Sequence, residues 1–320
     1  MMFENLESFA VKIQMMNCIL LLLLLLIPIT GCSTLTSIEK SSKRMIRDFR
    51  APGSDLKKRI GMAVFENKTT LADKEIEGKF RQDLTETIMS SCPTILLEKP
   101  GDAGYPDELE RIPRKASGWI DNFDLARIGR RLGLNAIITG ALTDIISNNK
   151  KEGILWLKDT HYYIQVKVAV QVYDTETGAK LLDESFMDEI EIDEWDLESI
   201  QENSEMKMSI LEEAFKNIAD DMGEKICNAI VLEPWKGFIT SINTDKITIN
   251  SGTKVGLKPG DLFEVFNSSG IFEGTEGHRF FMPGLKAGEI KITAVYPDTA
   301  EAVLVSGNDI QTGFSIRQKD

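Results

Sequence analysis

The side chains able to do chemistry are few. The chain of 320 residues holds four cysteines, Cys18, Cys32, Cys92 and Cys227, and two histidines, His161 and His278. A thiol can be acylated or oxidised to a disulfide, and its compartment decides which. The histidines stand far apart in sequence, with no H-E-x-x-H pair to hold a metal. A G-x-S-x-G elbow, a P-loop and a G-x-G-x-x-G turn are all missing. Nine carboxylates crowd between Asp183 and Glu198, a density that would suit calcium or the acid pair of a glycosidase. Ile190, Ile192 and Leu197 interleave with them, which is the pattern of a strand whose outer face is wet. The expectation is a non-enzymatic protein with no catalytic residue, metal or cofactor.

Cys32 has the most informative surroundings. Ile19, Leu20 to Leu26 and Ile27 form an unbroken apolar run, and Pro28, Ile29, Thr30 and Gly31 lead from it into the cysteine. The run is shorter than the roughly 20 apolar residues of a spanning helix. It has the length of the hydrophobic part of a signal peptide, with small residues before the cleavage point. Ile29 to Cys32 resembles the lipobox of bacterial lipoproteins. That resemblance implies removal of residues 1–31 and acylation of the Cys32 thiol. Each buried methylene is worth about 0.8 kcal/mol, so two or more chains hold a protein stably at a membrane. Ser33, rather than aspartate, follows the cysteine, which favours the periplasmic side of the outer membrane. Lys12 is the only base ahead of the apolar run and is opposed by Glu4 and Glu7, leaving Met15 and Met16 as alternative starts.

Cys92 and Cys227 remain. In an oxidising periplasm they either pair or stay as two separately buried thiols, and both lie near the ends of predicted helices of one domain. A net charge of −13 argues against nucleic acid as a partner, because phosphate binding needs a basic face.

Residues 32–56 read as a basic, solvated tether. Residues 57–235 alternate strands and helices. A buried strand is expected at Arg59–Phe65, then a helix over 72–91 with Ile76, Phe80, Leu84 and Ile88 on one stripe. A short strand follows at Thr94–Leu97. Asp121 or Asn122 caps a second helix that Gly133 ends, with Leu125, Ile128 and Leu132 facing inward. Ala136–Thr139 is a further buried strand. Tyr162, Ile164, Val166, Val168, Val170 and Val172 alternate with polar residues, the period of a strand with one buried face. Asp174–Gly178 is a hairpin turn, Ala179–Ile192 the returning strand, and a helix over 205–231 carries the stripe Leu211, Phe215, Ile218, Met222, Ile226 and Ala229. The architecture expected is an α/β sandwich with helices on one face of a mixed sheet. Residues 236–320 show no helical stripe, only short strands between Gly, Pro, Asn and Asp, the pattern of a small β-barrel. The fold class expected is thus α+β.

Three segments resemble the curli assembly lipoprotein CsgG and the amino-terminal domain of TolB. They are Ile60–Thr69 (IGMAVFENKT, with Met62 for the usual valine), Gly129–Gly140 (GRRLGLNAIITG, with Leu134 for a smaller residue) and Val172–Gly178 (VYDTETG). The tail, with Gly252–Asp261 (GTKVGLKPGD), Gly288–Ile292 and Gly313, resembles the carboxy-terminal barrel of the flagellar assembly protein FlgT. Pro259-Gly260 in that stretch also reads as a tight turn without any family. These resemblances imply a structural component of an envelope machine, such as a flagellar basal-body ring. The protein would contact envelope or flagellar assembly proteins and possible sister copies in a homo-oligomer through residues 57–235. Two alternatives follow from the same likenesses, a CsgG-like secretion channel and an LpoB-like activator of peptidoglycan synthesis. The channel needs a second membrane hairpin from Met187–Ile210, where Asp188, Glu189, Glu191, Asp193, Glu194 and Asp196 oppose it.

Overall fold

The computed structural model describes residues 56–69, 74–154, 157–203, 208–244 and 246–319. The expected signal peptide, Cys32 and all of the expected tether except Leu56 lie outside the described residues.

The first expected strand divides into β1 (Lys58–Met62) and β2 (Glu66–Asn67). Helix α1 (Lys74–Ser91), strand β3 (Ile95–Glu98) and helix α2 (Asn122–Leu132) follow. Strands β4 (Ala136–Ile154), β5 (Leu157–Asp174) and β6 (Lys180–Ile192) run as consecutive hairpins, and helices α3 (Glu194–Asn203) and α4 (Met208–Val231) close this part. The sheet order is β3-β1-β4-β5-β6, with β2 beside β4. β1 is parallel to β3 and β4, whereas β4, β5 and β6 are antiparallel.

Local patterning accounts for most of this. Ile164, Val166, Val168, Val170 and Val172 are fully buried on one face of β5, where the α1 stripe and the α4 stripe pack on them. The α4 stripe ends on Ile230 rather than Ala229, which is half-buried. Phe65, Phe80 and Phe215 form a chain of rings with centroids 5.9 and 5.5 Å apart. Asp121 is the cap of α2, accepting from the N–H groups of Phe123 and Asp124, and Gly133 ends the helix at φ 74°.

Three expectations change. First, the helices do not share one face. α1 and α4 cover one side, but α2 packs on the other through Leu125, Ile137, Leu134 and Tyr173. Ala136, Ile137 and Ile138 are consecutive buried residues, the mark of a strand covered on both faces. Second, the strand expected at Ala136–Thr139 extends to Ile154. Its polar continuation reads as loop, yet it pairs residue by residue with β5, after a bulge at Leu142/Asp144. Third, the acidic run is half strand and half helix. Asp193 accepts from the Asp196 N–H at 2.7 Å and starts α3, whose acidic first turn suits the positive end of the helix dipole.

The remaining residues form a closed barrel. Strands β7 (Gly237–Asn243), β8 (Lys246–Ile249), β9 (Leu262–Phe266), β12 (Lys286–Val295), β13 (Ala300–Gly307) and β14 (Ser315–Gln318) close in the order β12-β13-β8-β7-β14-β9. Between β9 and β12 a small hairpin, β10 (Ile271–Glu273) with β11 (Arg279–Phe281), leaves the barrel. Trp235, Phe263, Val265, Ile290, Ile292, Phe314 and Ile316 fill the interior, joined by Leu56. The protein is thus α+β, with an α/β sheet followed by a six-stranded barrel.

The two parts are joined by buried charge. Lys236, at the entry to β7, is 3% exposed and reaches Asp174 at 2.6 Å, Glu233 at 3.3 Å and Glu176 at 3.4 Å. Glu176, in the turn after β5, also accepts two bonds from Arg317 of β14 at 2.9 and 2.8 Å and one from Ser315 Oγ at 2.7 Å. Arg130 of α2 donates to the Thr175, Glu176 and Ser268 carbonyls and lies 3.6 Å from the Phe281 ring centroid. Burial pulls the Lys236 ammonium towards its neutral form, but the carboxylates of Asp174 and Glu176 outweigh it and hold its pKa above the ordinary lysine value. Removing one partner of such a set leaves charge stranded at low dielectric, at a cost of about 3–5 kcal/mol. Lys236→Met should therefore lower the urea-unfolding free energy by about that amount. A midpoint equal to that of the parent protein would refute the role given to this lock.

Lys58, at the start of β1, behaves oppositely. Its ammonium donates to the Ile230 and Val231 carbonyls at the end of α4, at 2.9 and 3.0 Å. Burial lowers its pKa to about 8; Glu233 works against that, and Lys236 adds to it. Below that value Lys58 is charged in both folded and unfolded states. Between about 8 and 10.5 the unfolded chain holds more protons, so stability should rise with pH through that window. Denaturation curves of the parent and of Lys58→Met, taken across the window, should differ in pH slope, with the parent the steeper. Equal slopes would contradict the assignment.

Candidate functional site

α2 covers only the lower end of the second sheet face. Beyond it, Thr139, Ala141 and Thr143 of β4 and Ala169 and Gln171 of β5 form a floor of mostly short side chains, Thr139 and Ala141 themselves buried, with Ala141 paired to Ala169 and Thr139 to Gln171. Gly140, between Thr139 and Ala141, lets the Phe65 ring pack against β4 from the core side, because a Cβ there would strike that ring. One wall is the segment Ile112–Ile120, which folds back on itself through a bridge between Arg114 and Ile120. Lys115 N–H donates to the Trp119 carbonyl at 2.8 Å, Gly118 N–H to the Lys115 carbonyl at 2.9 Å, and Gly118 adopts φ 86°. Arg114 fixes the turn from its side chain, donating to the Gly118 carbonyl at 2.6 Å and pairing with Glu66 of β2. Trp119, at the end of this turn, is 62% exposed. Floor and wall enclose a groove of about 410 Å³.

The polar groups of the groove are held in place. Gln171 donates from Nε2 to Asp183 at 3.1 Å and accepts at Oε1 from the Tyr173 hydroxyl at 2.9 Å. Burial pushes the Tyr173 phenol well above its ordinary pKa, and Asp183 adds to the effect, so it stays a donor. Further along, β4 and β5 continue as a two-stranded ribbon past the last β6 pair, Tyr162–Ile192, to Ile154–Leu157, and Ile154 is 79% exposed.

The chemically interesting residues read from sequence do not meet in one site. His161 lies on the ribbon with Glu191 at 2.6 Å, a contact that raises its pKa. His278 lies in the loop between β10 and β11, 3.2 Å from Asn122. The carboxylates of the acidic run disperse. Asp183 binds Lys180, Glu184 binds Lys225, Asp188 accepts from Asn217, and Glu189 binds Lys150. Among the described residues no group of three or more His, Cys, Asp or Glu side chains is arranged to hold a metal ion. No described helix is long and apolar enough to cross a membrane. Gly260, at φ 99°, closes a turn in which Asp261 accepts from the Lys258 N–H at 2.8 Å, so the Pro-Gly-Asp stretch is engaged with itself. The groove was not read from sequence. Its one local sign is an exposed-type turn, Ser117-Gly118, directly before a tryptophan.

An α/β sheet carrying an open groove and continued by a closed barrel defines a two-part α+β class of fold for the described residues. Residues 244–313, from the β7–β8 turn to the residue before Phe314, match the family model of the flagellar assembly protein T, C-terminal domain. No curated protein matches the chain. Solved structures are similar at low identity. PelC from Paraburkholderia phytofirmans, a dodecamer, is 11% identical over 55% of this chain and 94% of its own, with a TM-score of 0.31. The lipoprotein GNA1162 from Neisseria meningitidis is 9% identical over 52% of this chain and 97% of its own, with a TM-score of 0.28. TolB from Acinetobacter baumannii is 10% identical over 80% of this chain and 62% of its own, with a TM-score of 0.27.

Cys92 follows the end of α1 and Cys227 lies in the last turns of α4, and the structure joins them with Cα atoms 5.8 Å apart, a separation ordinary for a disulfide. The bond would close a loop of 135 residues and so remove much freedom from the unfolded chain, a stabilisation of about 2–5 kcal/mol. Protein purified from an oxidising compartment should resist thiol alkylation at both cysteines when unfolded without reductant. Cys92→Ser should lose about 2–5 kcal/mol of stability. Alkylation of both thiols in the unreduced protein would show them unpaired.

Proposed function

We propose that the protein is a non-enzymatic assembly component of a bacterial envelope machine, of the flagellar basal-body kind. In this reading acyl chains on Cys32 hold it to the outer membrane and its body faces the periplasm. The observation that carries the reading is the flagellar-assembly match on residues 244–313, which spans β8 to β13 of the barrel. The buried charge lock supports it, because a barrel tied to the α/β sheet at a fixed angle suits a scaffold better than a tethered pair of binding modules does. The channel alternative lacks support at one place. Of the residues from which its second membrane hairpin would come, Met187–Ile192 end β6 and Glu194–Asn203 form α3.

A tagged chromosomal copy should co-purify with detergent-extracted basal bodies, and its deletion should impair motility. Cys32→Ser should abolish acylation, globomycin should leave a heavier precursor that keeps its signal peptide in the inner membrane, and either should abolish that co-purification. A protein absent from basal bodies in a flagellated host, with normal motility after deletion, would overturn the flagellar reading. A Cys32→Ser protein with unchanged mass and membrane association would overturn the anchor.

A further inference from the structure

We propose that the Trp119 groove is a glycan-binding site, taking a short stretch of neutral sugar chain. The proposal stands apart from the assembly reading and does not need it.

Sugar rings present alternating chemistry. Their flat faces carry C–H groups with partial positive charge, and their edges carry closely spaced hydroxyls that both donate and accept. An aromatic face attracts the former through its negative quadrupole. Planar or branched polar side chains match the latter. The groove supplies both kinds. Trp119 is 62% exposed at the mouth, on a turn whose backbone is fixed by the Arg114–Gly118 and Lys115–Trp119 hydrogen bonds. Opposite it the floor is low, because Ala141 and Ala169 face each other across β4 and β5.

Polar capacity remains on the side chains that surround the indole. The Gln171 amide uses one N–H on Asp183 and one oxygen lone pair on Tyr173, leaving a donor and an acceptor. The Glu66–Arg114 pair lies at the rim, with both ends of the fork fixed by each other and by the Gly118 carbonyl. The Thr143 hydroxyl donates to the Lys167 carbonyl at 3.0 Å and the buried Thr139 hydroxyl to the Gln171 carbonyl at 3.4 Å, so the floor adds acceptor lone pairs only. The volume of about 410 Å³ lies within the about 300–1,000 Å³ usual for small-ligand sites. Charge separates a sugar from a nucleotide or an acidic peptide. The groove holds one carboxylate, Glu66, against two cations, Lys68 and Arg114, a net of +1, and both cations pair with Glu66, so no free basic cluster is left for phosphate. An apolar peptide is a poorer match, since Ile112 and Ile120 are the other large apolar side chains of the lining and stand beside Glu66, Lys68, Arg114 and Gln171.

The test uses the full chain purified in detergent. Titration with N-acetylglucosamine oligomers should quench or shift tryptophan emission and give measurable heat. Purified peptidoglycan sacculi should sediment the protein. Trp119→Ala should weaken both by about tenfold or more while keeping the parent's urea midpoint, because the turn is held by Arg114 and the backbone. Trp195→Ala, altering an exposed tryptophan outside the groove, should leave both unchanged. Absence of binding to the oligomers at millimolar concentration overturns the proposal, and so does binding that Trp119→Ala leaves intact. Sedimentation with sacculi but no response to the oligomers assigns the contact to the peptide part of the wall and also overturns it. Loss of self-association or of a protein partner in Trp119→Ala, without any glycan response, makes the groove a protein-docking surface instead.

Discussion

A lysine ammonium removed from water is stable only where opposite charge and hydrogen-bond acceptors surround it, and Lys236 meets that condition with groups from both halves of the molecule. Asp174 and Glu176 come from the turn after β5, Glu233 from the linker after α4, and Arg317 reaches Glu176 from β14. Neither half could bury its share alone. The turn would carry two unpaired carboxylates, and the entry to the barrel an unpaired ammonium. Hydrogen bonds to the backbone follow the same seam. Asn135 donates to the Lys236 carbonyl at 2.8 Å, Asn250 to the Arg130 carbonyl at 2.5 Å, and Asn122 to the Arg279 carbonyl at 2.7 Å. Sheet and barrel accordingly belong to one compact unit.

That seam also explains the β10–β11 hairpin, which has no place in the barrel proper. Phe281 stacks on Phe123 at 4.4 Å and receives the Arg130 guanidinium on its ring, and its N–H donates to the Thr177 carbonyl at 2.9 Å. The hairpin is therefore an arm from the barrel that closes over α2 and the turn after β5. Burial pulls the Arg130 pKa down to about 10, against the pull of Glu176 and Asp174, which still leaves it charged at neutral pH. A guanidinium that must remain charged needs aromatic and carbonyl neighbours, and the arm delivers them.

Legibility in the sequence follows how local each cause is. The α1 stripe, the alternation in β5, the Asp121 cap and the Gly133 stop are written within a few residues of where they act, and the structure has them there. The extension of β4 is not. Ser147, Asn148, Asn149, Lys150 and Lys151 have the composition of a loop, and only pairing with β5 makes them strand. The side of the sheet chosen by α2 depends on Leu109 and Leu134, which lie outside the helix. β10 and β11 are three residues each, too short for any period to register. Glu176 is the extreme case. An acid in the polar turn Asp-Thr-Glu-Thr-Gly looks solvated, yet it is among the most buried charges described, because its partners come from residues 236, 315 and 317.

The groove is a consequence of unequal lengths. β4 has 19 residues and spans about 60 Å at strand rise, whereas α2 has 11 and covers about 16 Å at helix rise. On the first face α1 and α4, with 18 and 24 residues, are long enough to bury the upper strands. On the second face most of the β4–β5 pair must stay uncovered, whatever its sequence. Hydration alone does not dictate what stands there. An exposed floor could carry lysine and glutamate throughout, as it does nearer the ribbon at Lys150 and Glu189. Beside Trp119 it carries alanine and threonine instead, whose short side chains make room. Small side chains beside an exposed indole on a braced turn give that part of the face depth, and the unequal lengths of α2 and β4 keep it open.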